Sequence, residues 1–191
     1  MKDLPEIFRG HNRVIVLILN IFVQGKRGEE MYHIGDKIVY PMHGAGVIES
    51  IEEREVLGKK KTYYIMRMPS GDMTAMIPTE GCDDIGVRFV ISREEAQNVL
   101  ETFKTTPIYE DNNWNKRHRE NMLKIKSGDI YQVLNVVKDL MYRDRAKGLS
   151  TSERKMLNSA RQILVSELVL STVAGKTDIE SIITDTVENL F

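Results

Sequence analysis

AGVIESIEERE (residues 45–55) and TYYIMRM (residues 62–68) decide the fold of the first half of this chain. The first stretch alternates apolar and charged residues, which is typical of a strand with one buried face. The second is rich in β-branched and aromatic residues, which favour strands. Between them, Leu57-Gly58-Lys59-Lys60 predicts a hairpin turn, because glycine adopts the backbone angles that such turns need.

Shorter strands are predicted on both sides of this hairpin. Lys37–Tyr40 precedes it and stops at Pro41, while Met73–Ile77 follows a turn at residues 69–72 and stops at Pro78. Proline cannot donate to a strand ladder and therefore marks strand ends. Four or five short strands joined by tight turns predict a small barrel of the SH3-like or Tudor-like type.

Beyond Arg88 the apolar spacing becomes helical. Three stretches have the form of a capping box, which marks a helix start: Ser92–Glu95, Ser150–Glu153 and Thr177–Glu180. A basic helix is predicted over Trp114–Lys126, and Gly148 is placed as the C-terminal cap of the next helix. The predicted fold class is therefore α+β: a small Tudor-like (SH3-like) β-barrel over residues 31–91, then an all-helical domain of four or five helices over residues 92–191.

Residues 1–30 do not continue either pattern. Val14–Val23 is apolar but shorter than the ~20 residues that a membrane span needs, and no small-residue cleavage site of a signal peptide follows it. Arg27-Gly28-Glu29-Glu30 can be encoded almost entirely by purines, as in a bacterial ribosome-binding site ahead of Met31. We expect Met31 to be the native start and residues 1–30 to be a translated leader.

The reactive residue types predict no catalytic chemistry. The single cysteine, Cys82, excludes a disulfide scaffold and is interpreted as a small buried apolar residue, and the four histidines lack zinc-ligand spacing. No nucleophile, base and oxyanion donors come together in the sequence. We therefore expect a cytoplasmic protein that is not an enzyme, with no metal, cofactor, small-molecule substrate or membrane partner.

The charge distribution points to a different function. The whole chain has a net charge of -1, yet residues 111–165 hold 12 basic and 6 acidic residues, a net charge of +6. The only tryptophan, Trp114, stands at the start of the basic helix beside Lys116, Arg117 and Arg119. Cations neutralise phosphates and an aromatic ring can stack on a base or wedge into a base step. The alternative is that Trp114 packs into the core and the cations only face solvent.

A second basic cluster surrounds the predicted turn at Gly148, and it can converge with the first if the helices pack antiparallel. It comprises Arg143, Arg145, Lys147, Arg154 and Lys155.

From Tyr32 onward the sequence resembles the CarD/CdnL family of bacterial RNA-polymerase-binding transcription regulators. The resemblance is carried by IGDKIVYPMHGAG (34–46), GDMT (71–74) with Ile77-Pro78, Asn113-Trp114, and LSTSERKML (149–157) with ARQIL (160–164). The opening motif alone also resembles the polymerase-interacting module of transcription-repair coupling translocases. The tryptophan and the helical half distinguish the two.

The resemblance implies the partners and the site residues. The Tudor-like domain would bind the RNA polymerase β subunit, with Arg54 aligned to a polymerase-contacting arginine. Met76 replaces a second arginine of some members, so an apolar contact would have to replace that charge contact. The helical domain would contact promoter DNA, with Trp114 as a minor-groove wedge at the upstream edge of the bubble.

Further DNA contacts follow from the same resemblance. Lys116, Arg117 and Arg119 fall where the family has backbone-contacting cations, and Arg154 matches another basic contact. The expected function is stabilisation of the open promoter complex. The alternative function is a polymerase-interaction module that competes with a transcription-repair coupling factor and has little DNA role.

Overall fold

The computed structural model describes residues 32–69, 73–172 and 174–191. The predicted leader with the expected start at Met31, and residues 70–72 of the predicted turn, lie outside the described residues. Two hydrophobic cores are present, one inside a sheet and one inside a helical bundle. The predicted α+β layout is confirmed.

Five strands form one antiparallel sheet in the order β4-β3-β2-β1-β5. Their bounds are β1 Lys37–Tyr40, β2 Gly44–Val56, β3 Lys59–Arg67, β4 Thr74–Pro78 and β5 Arg88–Phe89. The described pairings leave β4 and β5 at opposite edges of an open sheet, so the closed Tudor-like barrel stays a prediction. The two-residue strand β5 is too short to give a sequence pattern of its own.

The β2–β3 hairpin closes more tightly than its sequence predicts. Leu57 and Gly58 have φ angles of 55° and 74°, which fits a two-residue turn whose twist matches the strands. Lys59 and Lys60 already belong to β3. The register shifts between Ile48 and Ser50, and this bulge lets Ile48 and Ile51, three residues apart, both pack into the core of the sheet.

Five helices follow, in agreement with the prediction of four or five. They are α1 Arg93–Thr105, α2 Trp114–Lys126, α3 Ile130–Lys147, α4 Thr151–Ser171 and α5 Lys176–Glu188. The bounds of the basic helix α2 and the cap of α3 by Gly148 are as predicted. Their apolar stripes meet in a core that includes Phe103, Leu134 and Leu164.

The three predicted helix starts have different outcomes. Ser150 and Glu153 form both halves of a capping box on α4. Ser92 caps α1 by accepting from Glu95 N, but the Glu95 carboxylate accepts from the Tyr131 hydroxyl at 2.6 Å instead of returning to Ser92. The box at Thr177 is wrong: α5 begins two residues earlier with Gly175 as N-cap, and Asp178 accepts from the Gly175 N–H at 3.1 Å.

Helix α4 also joins the bundle to the sheet. The Ser166 hydroxyl, buried in the contact, accepts from Ala45 N at 2.8 Å, and Lys37 Nζ donates to the Leu170 carbonyl at 2.8 Å. Gly44 has φ 109°, and a Cβ there would lie 2.6 Å from Ser166 Oγ. Only glycine therefore permits this close approach of β2 to the helix.

An ion pair completes the junction. Glu167 on α4 is 1% exposed and accepts from both terminal nitrogens of Arg88 on β5. The same guanidinium donates to the Gly128 carbonyl at 2.8 Å, and Ile91 N donates to Glu167 at 3.2 Å. Arg88 thus connects the sheet, α4 and the α2–α3 turn.

Candidate nucleic-acid interface

Trp114 lies at the surface, at the first residue of α2. It is 42% exposed, which excludes the alternative that it packs into the core. Its Nε1–H donates to Ser150 Oγ at 3.3 Å, and its ring lies 5.2 Å from the His118 ring at an angle of 32°. The indole is therefore held at one edge while much of its surface faces solvent.

Two helix N-termini meet beside this ring. Asn113 caps α2 by accepting from Lys116 N at 3.1 Å, and Ser150 caps α4. The first turn of α2 contains no acidic residue. The positive end of a helix dipole favours phosphate, so the start of α2 suits an anionic ligand, whereas the carboxylate of Glu153 in the first turn of α4 opposes one there.

The three predicted cations of α2 have different environments. Arg119 is exposed and makes no ion pair within the described part of the chain. Lys116 is exposed but lies 2.9 Å from Asp111 and 3.9 Å from Glu120. The hydrogen bond with Asp111 raises the pKa of Lys116, so its ammonium is charged but partly neutralised.

Arg117 differs from the prediction, because its guanidinium is used inside the fold. It is 7% exposed and pairs with Glu153, Nε donating to Oε1 at 2.8 Å. Its Nη1 donates to the Asp111 carbonyl. A side chain committed to these partners is not available to a phosphate, and nothing in the sequence distinguishes it from its exposed neighbours.

Glu153, 3% exposed, is a functional candidate that the sequence presented only as part of a capping box. Burial raises the pKa of its carboxyl, but hydrogen bonds from Arg117 and Ser150 outweigh this effect and hold the pKa below its usual range. Arg143 Nε lies 4.0 Å from Glu153 Oε1. The carboxylate is therefore ionised at neutral pH between two arginines.

The second basic cluster does approach the first, but most of its cations are paired. Arg154, exposed on α4, makes two bonds to Asp144, at 3.1 and 3.3 Å. Arg145 pairs with Glu188 and Lys147 with Glu110, at 3.1 and 2.9 Å. Exposed pairs like these are weak and exchange readily with other anions, so Arg154 keeps a surface position from which it can reach a ligand.

The two predicted residues of the sheet share one face of it. Strand pairing places Arg54 opposite Lys61 and Met76 opposite Ile65, and both lie on the face away from the sheet core, since Tyr64 and Ile77 point inward. We call this the outer face; its half-buried apolar residues are Tyr63, Ile65, Met76 and Pro78. Arg54 is half-exposed and pairs with Glu52 at its border.

The described ranges hold neither a metal-binding cluster nor a membrane-spanning helix. Among residues 32–69, 73–172 and 174–191, no group of three or more His, Cys, Asp or Glu could hold a metal ion. No helix in those ranges is long and apolar enough to cross a membrane.

Comparison with known proteins identifies both parts of the chain. The model of the CarD-like/TRCF RID domain matches residues 32–91, and that of the CarD C-terminal domain matches residues 98–184. A Bacillus subtilis (strain 168) protein named "Putative transcription factor YdeB" is 43% identical over 138 residues, covering 72% of this chain and 90% of its own. These matches define a transcription-related protein whose sheet is of the polymerase-interacting type.

The chain belongs to the CarD/CdnL family.

Proposed function

We propose that this protein is a transcription regulator that binds the RNA polymerase β subunit and stabilises the open promoter complex. The N-terminal domain, predicted over residues 31–91 and of Tudor-like type, is the polymerase anchor. The helical domain, residues 92–191, makes sequence-independent contacts to promoter DNA at the upstream edge of the bubble. This role places the protein with the polymerase in the cytoplasm.

The observation that carries the proposal is the exposed, oriented indole of Trp114 between two helix N-termini. An apolar ring can wedge between base steps of the minor groove and hold them unstacked. Lys116 and Arg119 on α2 and Arg154 on α4 supply contacts to phosphates, which position a protein but do not read sequence. Arg117 supports the site from inside the fold.

The outer face of the sheet supports the polymerase contact. It presents half-buried apolar side chains with Arg54 at the border, the pattern of an interface with an apolar centre and a polar rim. Its strand β4 is an edge strand, and edge strands can accept a partner strand. Met76 on β4 supplies an apolar contact at the position where the resemblance places an arginine in some members of the family.

The mechanism follows from linkage. A ligand shifts an equilibrium only by its differential affinity for the two states, so the wedge must bind the opened edge of the bubble better than closed duplex. Anchoring on the polymerase raises the local concentration of the helical domain at the DNA. Weak phosphate contacts then suffice, and the protein needs no sequence preference of its own.

Trp114→Ala should shorten the lifetime of open complexes by about tenfold, because loss of a stacked aromatic contact costs about 1–3 kcal/mol. The measurement is competitor-challenged dissociation with purified polymerase on a promoter whose open complexes are short-lived. Phe191→Ala is the matched control, since Phe191 is a 60% exposed aromatic on the C-terminal tail. A wild-type lifetime for Trp114→Ala would refute the wedge.

Ile65→Glu should reduce binding to the isolated polymerase β lobe by more than about tenfold, because it puts a charge at the apolar centre of the outer face. Leu57→Glu, at the 81% exposed hairpin tip, is the control and should bind normally. Undiminished binding of Ile65→Glu, with normal far-ultraviolet circular dichroism, would exclude the outer face as the anchor.

Footprinting of the bubble edge separates the proposal from a module that only competes with a coupling factor. Both roles predict lobe binding, but only the proposed function predicts protection of the upstream bubble edge that disappears in Trp114→Ala.

A further inference from the structure

Trp114 is joined to the start of α4 through one hydroxyl group. A serine hydroxyl has one proton and two acceptor lone pairs. Ser150 Oγ donates to Glu153 Oε2 at 2.8 Å and accepts from Glu153 N and Trp114 Nε1, both at 3.3 Å. The Ser152 hydroxyl also lies 3.3 Å from Ser150 Oγ and shares its lone pairs with the two N–H groups. Because the Ser150 proton is donated to Glu153, the hydroxyl oxygen faces the indole N–H as an acceptor.

Glu153 fixes Ser150 through two hydrogen bonds, one from its hydroxyl and one from its backbone N–H. Besides accepting from Ser150 Oγ, its Oε2 accepts from the Ser150 backbone N–H at 3.1 Å. The oxygen that anchors the indole is therefore fixed by a buried, ionised carboxylate in the first turn of α4.

The other carboxylate oxygen of Glu153 fixes the helix that carries the indole. Glu153 Oε1 accepts from Arg117, three residues after Trp114 and so on the following turn of α2. Arg117 also donates to the carbonyl of Asp111, in the segment that leads into α2. The Glu153 side chain therefore holds the indole N–H of Trp114 through Ser150, and it holds the start of α2 through Arg117.

From this geometry we infer that Glu153 is a positioning residue, which fixes the orientation of the exposed Trp114 ring through Ser150 and Arg117. An exposed side chain ordinarily samples several rotamers, and ordering it on binding costs free energy. A ring already held in one orientation avoids that cost. The effect on promoter opening rests on the proposed function, whereas the positioning itself is a property of the free protein.

The test uses the single tryptophan of the chain as its own reporter, since all indole fluorescence comes from Trp114. In the wild-type protein, time-resolved anisotropy should decay mainly with overall tumbling. Ser150→Ala removes the acceptor, so a nanosecond component from ring motion should appear, and Glu153→Gln should do the same. Ser150→Thr retains the hydroxyl and should restore the wild-type decay.

Ser92→Ala is the matched control, because Ser92 caps α1 by the same bond to a backbone N–H but does not contact Trp114. It should lose comparable stability and leave the anisotropy decay unchanged. This control separates positioning from a general loss of helix capping.

Open-complex lifetime gives the second readout. Ser150→Ala should shorten it about threefold, the size expected for one hydrogen bond. In a Trp114→Phe background, where the ring has no N–H, the same substitution should change the lifetime no further.

The outcomes distinguish the two proposals. Wild-type anisotropy in both Ser150→Ala and Glu153→Gln would overturn the positioning role. A new fast component with an unchanged open-complex lifetime would leave positioning intact in the free protein and overturn its contribution to promoter opening. The wedge itself is overturned only by a wild-type lifetime in Trp114→Ala.

Discussion

Lys138→Met is expected to lower the free energy of unfolding by about 3 kcal/mol, the size typical of a buried group left without its charged partner. Lys138 on α3 is 1% exposed, and its ammonium donates to the carbonyls of Phe103, Lys104 and Thr106. These carbonyls belong to the end of α1, where the helix has no partners of its own for them. Methionine fills the space but leaves all three oxygens without this donor.

Burial also destabilises the charged form of Lys138, which lowers the pKa of its ammonium. The desolvation cost is why the expected loss is smaller than the sum of three charge-assisted bonds. Urea denaturation at neutral pH measures the difference. Lys104→Met, at the same helix end but exposed and paired with Glu101, should change stability by less than about 0.5 kcal/mol. Equal, small effects for both variants would contradict the capping role of Lys138.

Glu167→Leu should cost about 2–3 kcal/mol, because it removes the carboxylate that accepts from Arg88 and from the Ile91 N–H. This expected loss of unfolding free energy is small for a buried ion pair, because the Arg88 side chain is 33% exposed and its unpaired charge can be hydrated. The double variant Glu167→Leu with Arg88→Met should recover part of the lost unfolding free energy, because two apolar residues leave no unpaired charge.

The double-mutant cycle of these two residues measures the coupling across the junction, by urea denaturation of the two single variants and the double variant. Glu101→Ala, which breaks an exposed pair of the same charge type, is the control and should be nearly neutral. Strict additivity of Glu167→Leu and Arg88→Met would contradict a direct contribution of the pair.

Local features of the chain were predictable because their causes are local. The basic helix begins after Asn113 and ends before Gly128, and both boundaries follow from capping and glycine chemistry. The β2–β3 hairpin follows from alternation and a glycine turn. The bulge at Ile48 was not predictable, since an added residue in one strand is defined by its partner strand.

The organisation of the candidate site depends on contacts that sequence spacing does not encode. Arg117 and Glu153 are 36 residues apart, and Arg117 looks like any other cation of a basic helix. The position of Trp114 was predictable, but the acceptor of its N–H was not. Lys138 did carry a signal: it is a lone charge on the apolar side of α3 beside Val137 and Leu134, which indicates a buried ammonium with a dedicated role.

The contacts at Gly44, Ser166 and the Arg88–Glu167 pair fix the distance between the outer face of the sheet and Trp114. With the outer face seated on polymerase, Trp114 would reach the DNA at a set distance from the enzyme, not at a chosen sequence. One base-pair step is about 3.4 Å along the helix axis, so a junction that yields by a few ångströms would blur the contact over neighbouring steps. A protein that makes no base-specific contacts can thereby bind at a defined position on every promoter, because the polymerase sets that position.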